Sequence, residues 1–251
     1  MRVDAMSIAR RYVEFRAPGH RFPTLVELEL DEDLCFTIAD WYESAPDSCT
    51  DAESRRQYEI LKSETRQQFD AMREAGVEVR PWLESGQPYT SSAHLWREVV
   101  NSGTLYVYLT SRGHGDGGST PHSVAHPMVE PSEYTIDGVR FAHNDVFRAV
   151  HDFFGHIARG NPFTAHGEHL AAWDHSHMYP ADCHPVLLSE TVSQICWFYF
   201  GAHLRDSRGR IPSPGSEDYV PPRDRPYSPQ KTTPLPHELV DGFFSLFKQV
   251  N

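Results

Sequence analysis

Apolar positions in the second half of the chain recur with a helical period. Val146, Val150, Phe153, Phe154 and Ile157 form one stripe. The stripe predicts a helix that Asn144 or Asp145 can cap and that Gly160 and Pro162 stop. A second helix is predicted from Glu168 to Met178. A third starts at Pro185 and is almost wholly apolar, with Leu187, Leu188, Val192, Ile195, Phe198 and Tyr199. Further upstream, Tyr58, Leu61, Phe69 and Met72 predict a helix that Gly76 ends. Val77 to Trp82 reads as a short strand. Ser91 or Ser92 caps a helix that runs through Val100 to Gly103, and Leu105 to Leu109 (LYVYL) is a second strand.

The remaining stretches are less regular. Met6 to Phe15 reads as a helix, and Leu25 to Trp41 fits helix or strand. The loop 111–120 (SRGHGDGGST) has neither phosphate-cradle motif, GK[ST] or GxGxxG, and reads as a linker or lid. Residues 121–143, with Pro121, Pro127 and Pro131, form a turn-rich path. Eight prolines between Asp206 and Pro236 mark an extended surface segment. His237 to Val250 makes a last helix, with Leu239, Phe243, Leu246 and Phe247 to pack on the core or on a second copy of the chain. The expected fold is α+β and mainly α-helical: a mixed α/β region (1–110) with a small sheet, a helical core (111–205) and a proline-rich segment with a final helix (206–251), together one compact unit.

Composition narrows the function classes. At 251 residues the chain is long enough for a substantial core, and 39% hydrophobic with 12% aromatic residues is a globular balance. A net charge of −12 argues against broad nucleic-acid or anionic-membrane binding. The N-terminus has charges throughout and no apolar run resembling a signal peptide, and no stretch reaches membrane-span length, so a reducing cytoplasm is the expected setting. Cys35, Cys49, Cys183 and Cys196 are scattered, with no CxxC pair, and suggest neither a disulfide framework nor a cysteine zinc site. No internal repeat is visible. The anomaly is histidine: of fifteen, eleven lie between His114 and His184. Most must be solvated or bonded within the core, but their concentration beside a buried helix makes a few of them candidate metal ligands.

His151 and His156 are five residues apart, about 140° around a regular helix. Such residues do not share a face, so joint ligation needs a wide reach or local loosening near Gly155. Asp152 and His156, at i and i+4, do share one. Spacing therefore leaves two pairs open. On the third helix Glu190 and Gln194, also i and i+4, are polar residues on an apolar surface, and a buried carboxylate is costly unless it is paired or metal-bound. The bland reading of Glu190 is a salt bridge, for example to Arg148. Glu168 and His175, two turns apart on one face, suit positioning or substrate contact better than direct ligation. Asp152 and Glu168 are candidates to orient a histidine ligand through its other ring nitrogen.

HDFFGH resembles the HExxGH helix of the aromatic amino acid hydroxylases, in which both histidines bind iron. Asp152 stands where that family has Glu. HPMVEPSEY is similar to the PMYxPEPD run before that helix, and ICWFYFG to the YWFxxEFG helix after it; the likeness covers residues 124 to 203. The family's carboxylate ligand would fall near Tyr199, which is not an acid, and Glu190 is the nearest candidate. The resemblance thus implies His151, His156 and Glu190 on Fe(II); Asp152, Glu168, His175 and Gln194, from their spacing, are the expected catalytic residues around them. It also implies dioxygen as co-substrate, reduced pterin as electron donor and an aromatic amino acid or related small molecule as substrate. NDVFRAVHDFFGH, the following GE, HSHMY and SETVSQ are similar to uncharacterised, often phage-encoded proteins, a likeness that marks Glu168, His175, Glu190 and Gln194 without supplying an activity.

Three functions compete on this basis. The first is a mononuclear non-haem iron oxygenase. The second is an HD-type metallophosphohydrolase or dinuclear iron oxygenase, with His122 or His126 as the upstream ligand; that family is an all-helical bundle, and the predicted strand at Leu105 to Leu109 counts against it. The third is a non-enzymatic phage-type protein with a structural histidine cluster. Phe153, Phe154, Trp173, Trp197 and Phe198 are candidates for an aromatic pocket, although core packing is the commoner fate of such residues.

Overall fold

The computed structural model describes residues 2–16, 19, 21–112 and 126–250. Residues 113–120 of the glycine-rich loop, Pro121 and His122 lie outside them. The fold is α+β and mainly helical. Its elements are α1 (Ala5–Arg16), β1 (Val26–Leu28), α2 (Glu32–Ser44), α3 (Ala52–Glu74), β2 (Glu78–Trp82), α4 (Ser92–Ser102), β3 (Thr104–Tyr108), β4 (Pro131–Ile136), β5 (Val139–Ala142), α5 (His143–His151), α6 (Ala165–Ser176), α7 (His184–Leu188), α8 (Gln194–Phe200), α9 (His237–Ser245) and β6 (Phe247–Gln249).

Local signals explain much of this order. Asp51 caps α3, its side chain accepting from the Glu53 and Ser54 amides, and Ser91 caps α4 by accepting from His94. β2 and β3 pair in parallel around α4, burying Val79, Leu105 and Val107 at alternate positions. Leu25 to Trp41 divides into strand and helix at Asp31, which caps α2. The path read as turn-rich contains a hairpin instead: β4 and β5 meet antiparallel across Asp137–Gly138, both at positive φ (49° and 78°). An Asp-Gly pair between Ile136 and Val139 is the sequence expected for such a turn. The last helix ends at Ser245, and β6 leaves it to pair antiparallel with β1, joining the two ends of the chain.

Two apolar cores flank α6 and the segment that precedes it. One gathers Ile8, Leu61, Phe69, Leu105, Val150, Phe153, Phe154 and Leu187. The other draws on all three stretches of the chain, with Ile38 of α2, Leu188 at the end of α7, Val192 between α7 and α8, and Leu235, Val240 and Phe243 near the C-terminus. The proline-rich segment packs closely: Lys231 Nζ donates to the carbonyls of Glu43 (2.9 Å) and Ala45 (2.6 Å), and the Tyr42 hydroxyl donates to Pro229 O (2.6 Å). No described helix is long and apolar enough to cross a membrane.

One carboxylate ties α5 to the sheet. Asp145 Oδ1 accepts from the Thr110 amide (2.6 Å) and hydroxyl (2.7 Å), and Oδ2 accepts from the Ala142 amide (2.8 Å) at the helix start. Ala142, rather than Asn144 or Asp145, occupies the capping position. Asp145→Ala strips a buried acceptor from two amides and a hydroxyl. It is expected to cost about 2 kcal/mol, read as a lower urea midpoint at unchanged slope.

Candidate metal centre

The helix carrying HDFFGH is not regular throughout. From Asp152 to Ile157 it widens into a π-helical turn. The Ala158 amide donates to Phe153 O (3.0 Å) and the Asn161 amide to His156 O (3.1 Å), each five residues back. A turn closed at i+5 brings positions i and i+5 towards one face. His151 and His156 therefore approach, with ring centroids 5.1 Å apart. Gly155 sits inside the turn, where an added Cβ would lie 3.2 Å from Ala171 O and 3.3 Å from His151 Cε1. Its missing side chain lets α6 come close.

That approach delivers Glu168. Thr164 caps α6 by accepting from Gly167, and Glu168 lies in the first turn. Its Oε2 is 3.3 Å from His156 Nε2 and 3.8 Å from His151 Nε2. One donor atom from each of the three side chains lies within 4.8 Å of the other two.

The surrounding hydrogen bonds fix which ring nitrogens can act as ligands. His156 Nδ1 faces Asn161 O at 3.0 Å; a carbonyl only accepts, so Nδ1 donates there and Nε2, facing Glu168, is the nitrogen that can exchange its proton for a metal. Asn161 is held in turn, its Nδ2 donating to Gly155 O (2.7 Å) and to Asp174 Oδ2 (3.1 Å). For His151 the constraint passes through three residues. Gln68 Nε2 donates to Met178 O (3.1 Å), so Gln68 Oε1 accepts from His175 Nε2 (2.9 Å). His175 Nδ1 is then an acceptor, and His151 Nδ1 donates to it (3.1 Å). His151 Nε2 is left with its lone pair towards Glu168. Orientation of the histidines thus falls to Asn161 and His175, not to Asp152 or Glu168. Gln68→Leu breaks this sequence at its buried end. It is expected to weaken metal binding about tenfold, in the range of outer hydrogen-bond partners of metal ligands, and a competition titration with a chromogenic chelator measures it.

Electrostatics favour a cation between these groups. In the protein by itself, burial works against a charged His156, but the Glu168 carboxylate outweighs it and holds the imidazole up at about 9. Burial likewise pushes Glu168 up, and the charge on His156 with the hydrogen-bonding imidazoles of His151 and His156 overcomes it and holds the carboxyl at about 2. Burial drives His175 well below the usual imidazole range, reinforced by the neighbouring histidines, which suits a neutral hydrogen-bonding role. Burial raises Asp152, a tendency that His156 and His151 oppose.

Glu190 lies outside this cluster. It sits on a second π-helical turn, Ser189–Ser193, and its Oε1 accepts from the Tyr58 hydroxyl (2.5 Å). His126 Nε2 is 3.3 Å from the same oxygen, without hydrogen-bond alignment, and Gln194 Nε2 donates to Oε2 (3.2 Å). His126 is thus a neighbour of Glu190 and not of the His151 pair, and the Arg148 guanidinium instead donates to Tyr108 O (2.9 Å).

The two groups meet in a cavity. A space of about 300 Å³ is lined by Phe147, His151, Asp152, Glu168, Glu190 and Gln194, among others. A second, of about 510 Å³, reaches His151, Asp152, His156 and Glu168 from the side of Tyr89 and Phe163. Arg148, Ile195, Phe198 and Tyr227 line both. Of the five aromatic candidates, only Phe198 lines these cavities. Phe153 and Phe154 are core, Trp173 stacks on Phe247, and Trp197 packs on His203. The sequence reading missed Glu168 as the carboxylate nearest both histidines, and Gln68 and Asn161 as their supports; the glycine inside HDFFGH was the available sign of an irregular turn. Compared with protein-family models, curated proteins and solved structures, the chain gives no significant match.

Proposed function

We propose that the chain is a non-haem iron oxygenase, with Fe(II) held by His151, His156 and Glu168, acting with dioxygen on an aromatic amino acid or a related small molecule. One observation carries the reading: the Nε2 atoms of two imidazoles and one carboxylate oxygen converge, with each imidazole held from behind through its Nδ1. Two histidines and a carboxylate on one face of a metal leave positions for other ligands, the set that suits ferrous oxygenases. Bound there, iron would supply the activation of dioxygen, which alone reacts slowly with closed-shell molecules.

The chain's own residues would bind and orient the substrate. Phe147, Ile195 and Phe198 offer apolar walls for a ring, and the Phe163 ring stands edge-on to His156 (centroids 4.7 Å apart). Arg148 and Asp152, together at the cavity wall, suit the carboxylate and ammonium ends of an amino acid. Two cavities meeting at His151 and Glu168 leave room for a substrate and a second small molecule, the place a reduced pterin would need.

The test begins with metal content in protein purified without added metal or chelator, followed by anaerobic loading with Fe(II). Loaded protein is expected to hold iron at this centre and to consume oxygen with an aromatic amino acid, amine or acid, with or without reduced pterin. Failure to take up iron, or iron-loaded protein that consumes no oxygen with any of them, would overturn the proposal. Hydrolysis of phosphate esters with manganese would move the site to the hydrolase class.

A further inference from the structure

We propose that Cys35, His169 and Cys196 form a second metal site, buried between α2, α6 and α8, for a thiolate-binding d10 cation, zinc(II) or copper(I). The three residues are distant in sequence, but helix packing brings their ligand atoms together. Cys35 Sγ lies 3.7 Å and Cys196 Sγ 3.8 Å from His169 Nε2. His169 Nδ1 donates to Ala165 O (2.7 Å), so Nε2 presents its lone pair to both sulfurs.

Without a metal, hydrogen bonds can partner all three groups, one thiol bonding the other and one turning to the imidazole. A single nitrogen lone pair takes one S–H donor well, yet two sulfurs approach it at nearly equal distances. A shared cation accounts for both. Metal bonds of about 2.3 Å to sulfur and 2.0–2.1 Å to nitrogen separate S and N by about 3.6 Å at a tetrahedral angle and about 3.8 Å at a trigonal one. All three residues are essentially inaccessible, at 0%, 1% and 0% exposure, within an apolar cluster containing Ala172, Leu188, Val192 and Phe243. Polar groups so placed are costly unless paired, and thiolate with imidazole is the ligand class that soft or borderline cations select. Each cysteine gives its S–H proton to solvent as the metal binds.

Glu168 and His169 are consecutive on α6 but belong to separate clusters, so the two sites can be tested separately. Reduced, metal-free protein is titrated with Co(II) as a probe, then with Zn(II) and with Cu(I) under anaerobic conditions. Thiolate-to-cobalt charge-transfer absorption is expected in the wild type and in His156→Ala, and is expected to be lost in Cys35→Ser and Cys196→Ser. X-ray absorption on wild-type protein loaded with zinc or copper needs no variant and is expected to show sulfur and nitrogen scatterers together; whichever metal resists competition identifies the cation. Absence of the charge-transfer band in the wild type, or only nitrogen and oxygen around the loaded metal, would overturn the proposal. So would a Cys35–Cys196 disulfide in protein isolated without reductant that re-forms in preference to metal binding. Retention of the band in both Cys35→Ser and Cys196→Ser would place the sulfur on another cysteine and count equally against it.

Discussion

Glu168→Ala is expected to reduce metal affinity at the His151–His156 centre by more than about 100-fold, beyond the 10–100-fold typical of outer supports of a metal ligand, and to abolish metal-dependent oxygen consumption. Two effects add. The substitution removes one of three converging donor atoms, and it removes the negative charge that favours a cation between the two imidazoles. Two neutral imidazoles remain, aligned by Asn161 and His175 but without charge balance for a divalent ion. Glu190→Gln provides the contrast. Its amide oxygen can still accept from the Tyr58 hydroxyl, so metal affinity is expected to stay within about threefold of wild type, the size of ordinary context effects well short of the loss of a ligand support. Competition with a chelator, read for both variants beside His151→Ala, decides the matter. If Glu190→Gln loses the metal while Glu168→Ala keeps it, the carboxylate assignment is reversed.

The contrast between these glutamates shows where the sequence was legible. The histidines stood out because HDFFGH lies on a strongly apolar helix and because its motif is distinctive. Glu190 drew attention for a sound reason, since a carboxylate on an apolar helix needs a partner. Its partner is the Tyr58 hydroxyl on α3, 132 positions away, which no local spacing reveals. Glu168 looked like a positioning residue because spacing paired it with His175 and Glu190 stood as the candidate carboxylate, while counting at 100° per residue kept His151 and His156 on different faces. The π turn breaks that count, and the same turn, through Gly155, lets α6 approach. Capping and punctuation at Ser91, Gly76 and Gly103 were readable because they are local. The Asp137–Gly138 hairpin was equally local, but the prolines around it gave the stretch the look of a loop. The pairing of β1 with β6 and the meeting of Cys35 with Cys196 depend on the whole chain having folded.

Gly167→Ala is expected to damage both the fold and the centre. A Cβ at this position would stand 2.0 Å from Pro162 O and 2.6–2.7 Å from two carbons of the Pro162 ring. The nearest obstacle is backbone, on a turn held by the Gly160 and Asn161 amides, which both donate to His156 O (2.7 and 3.1 Å), so it cannot swing aside as a side-chain end would. Relief requires α6 to retreat or the 160–162 turn to move. Retreat of α6 withdraws Glu168, the next residue. Movement of the turn carries away Asn161, whose carbonyl fixes the His156 tautomer. The expected stability loss is at or above the ~3 kcal/mol upper end of ordinary overpacking, accompanied by loss of metal binding under conditions where the protein is still folded. His166→Ala, exposed in the same helical turn, is expected to stay within about 0.5 kcal/mol of wild type. Urea midpoints and metal content of the two variants, measured together, test the claim: a Gly167→Ala protein with wild-type values for both would mean that contact between α6 and the turn does not set the position of Glu168.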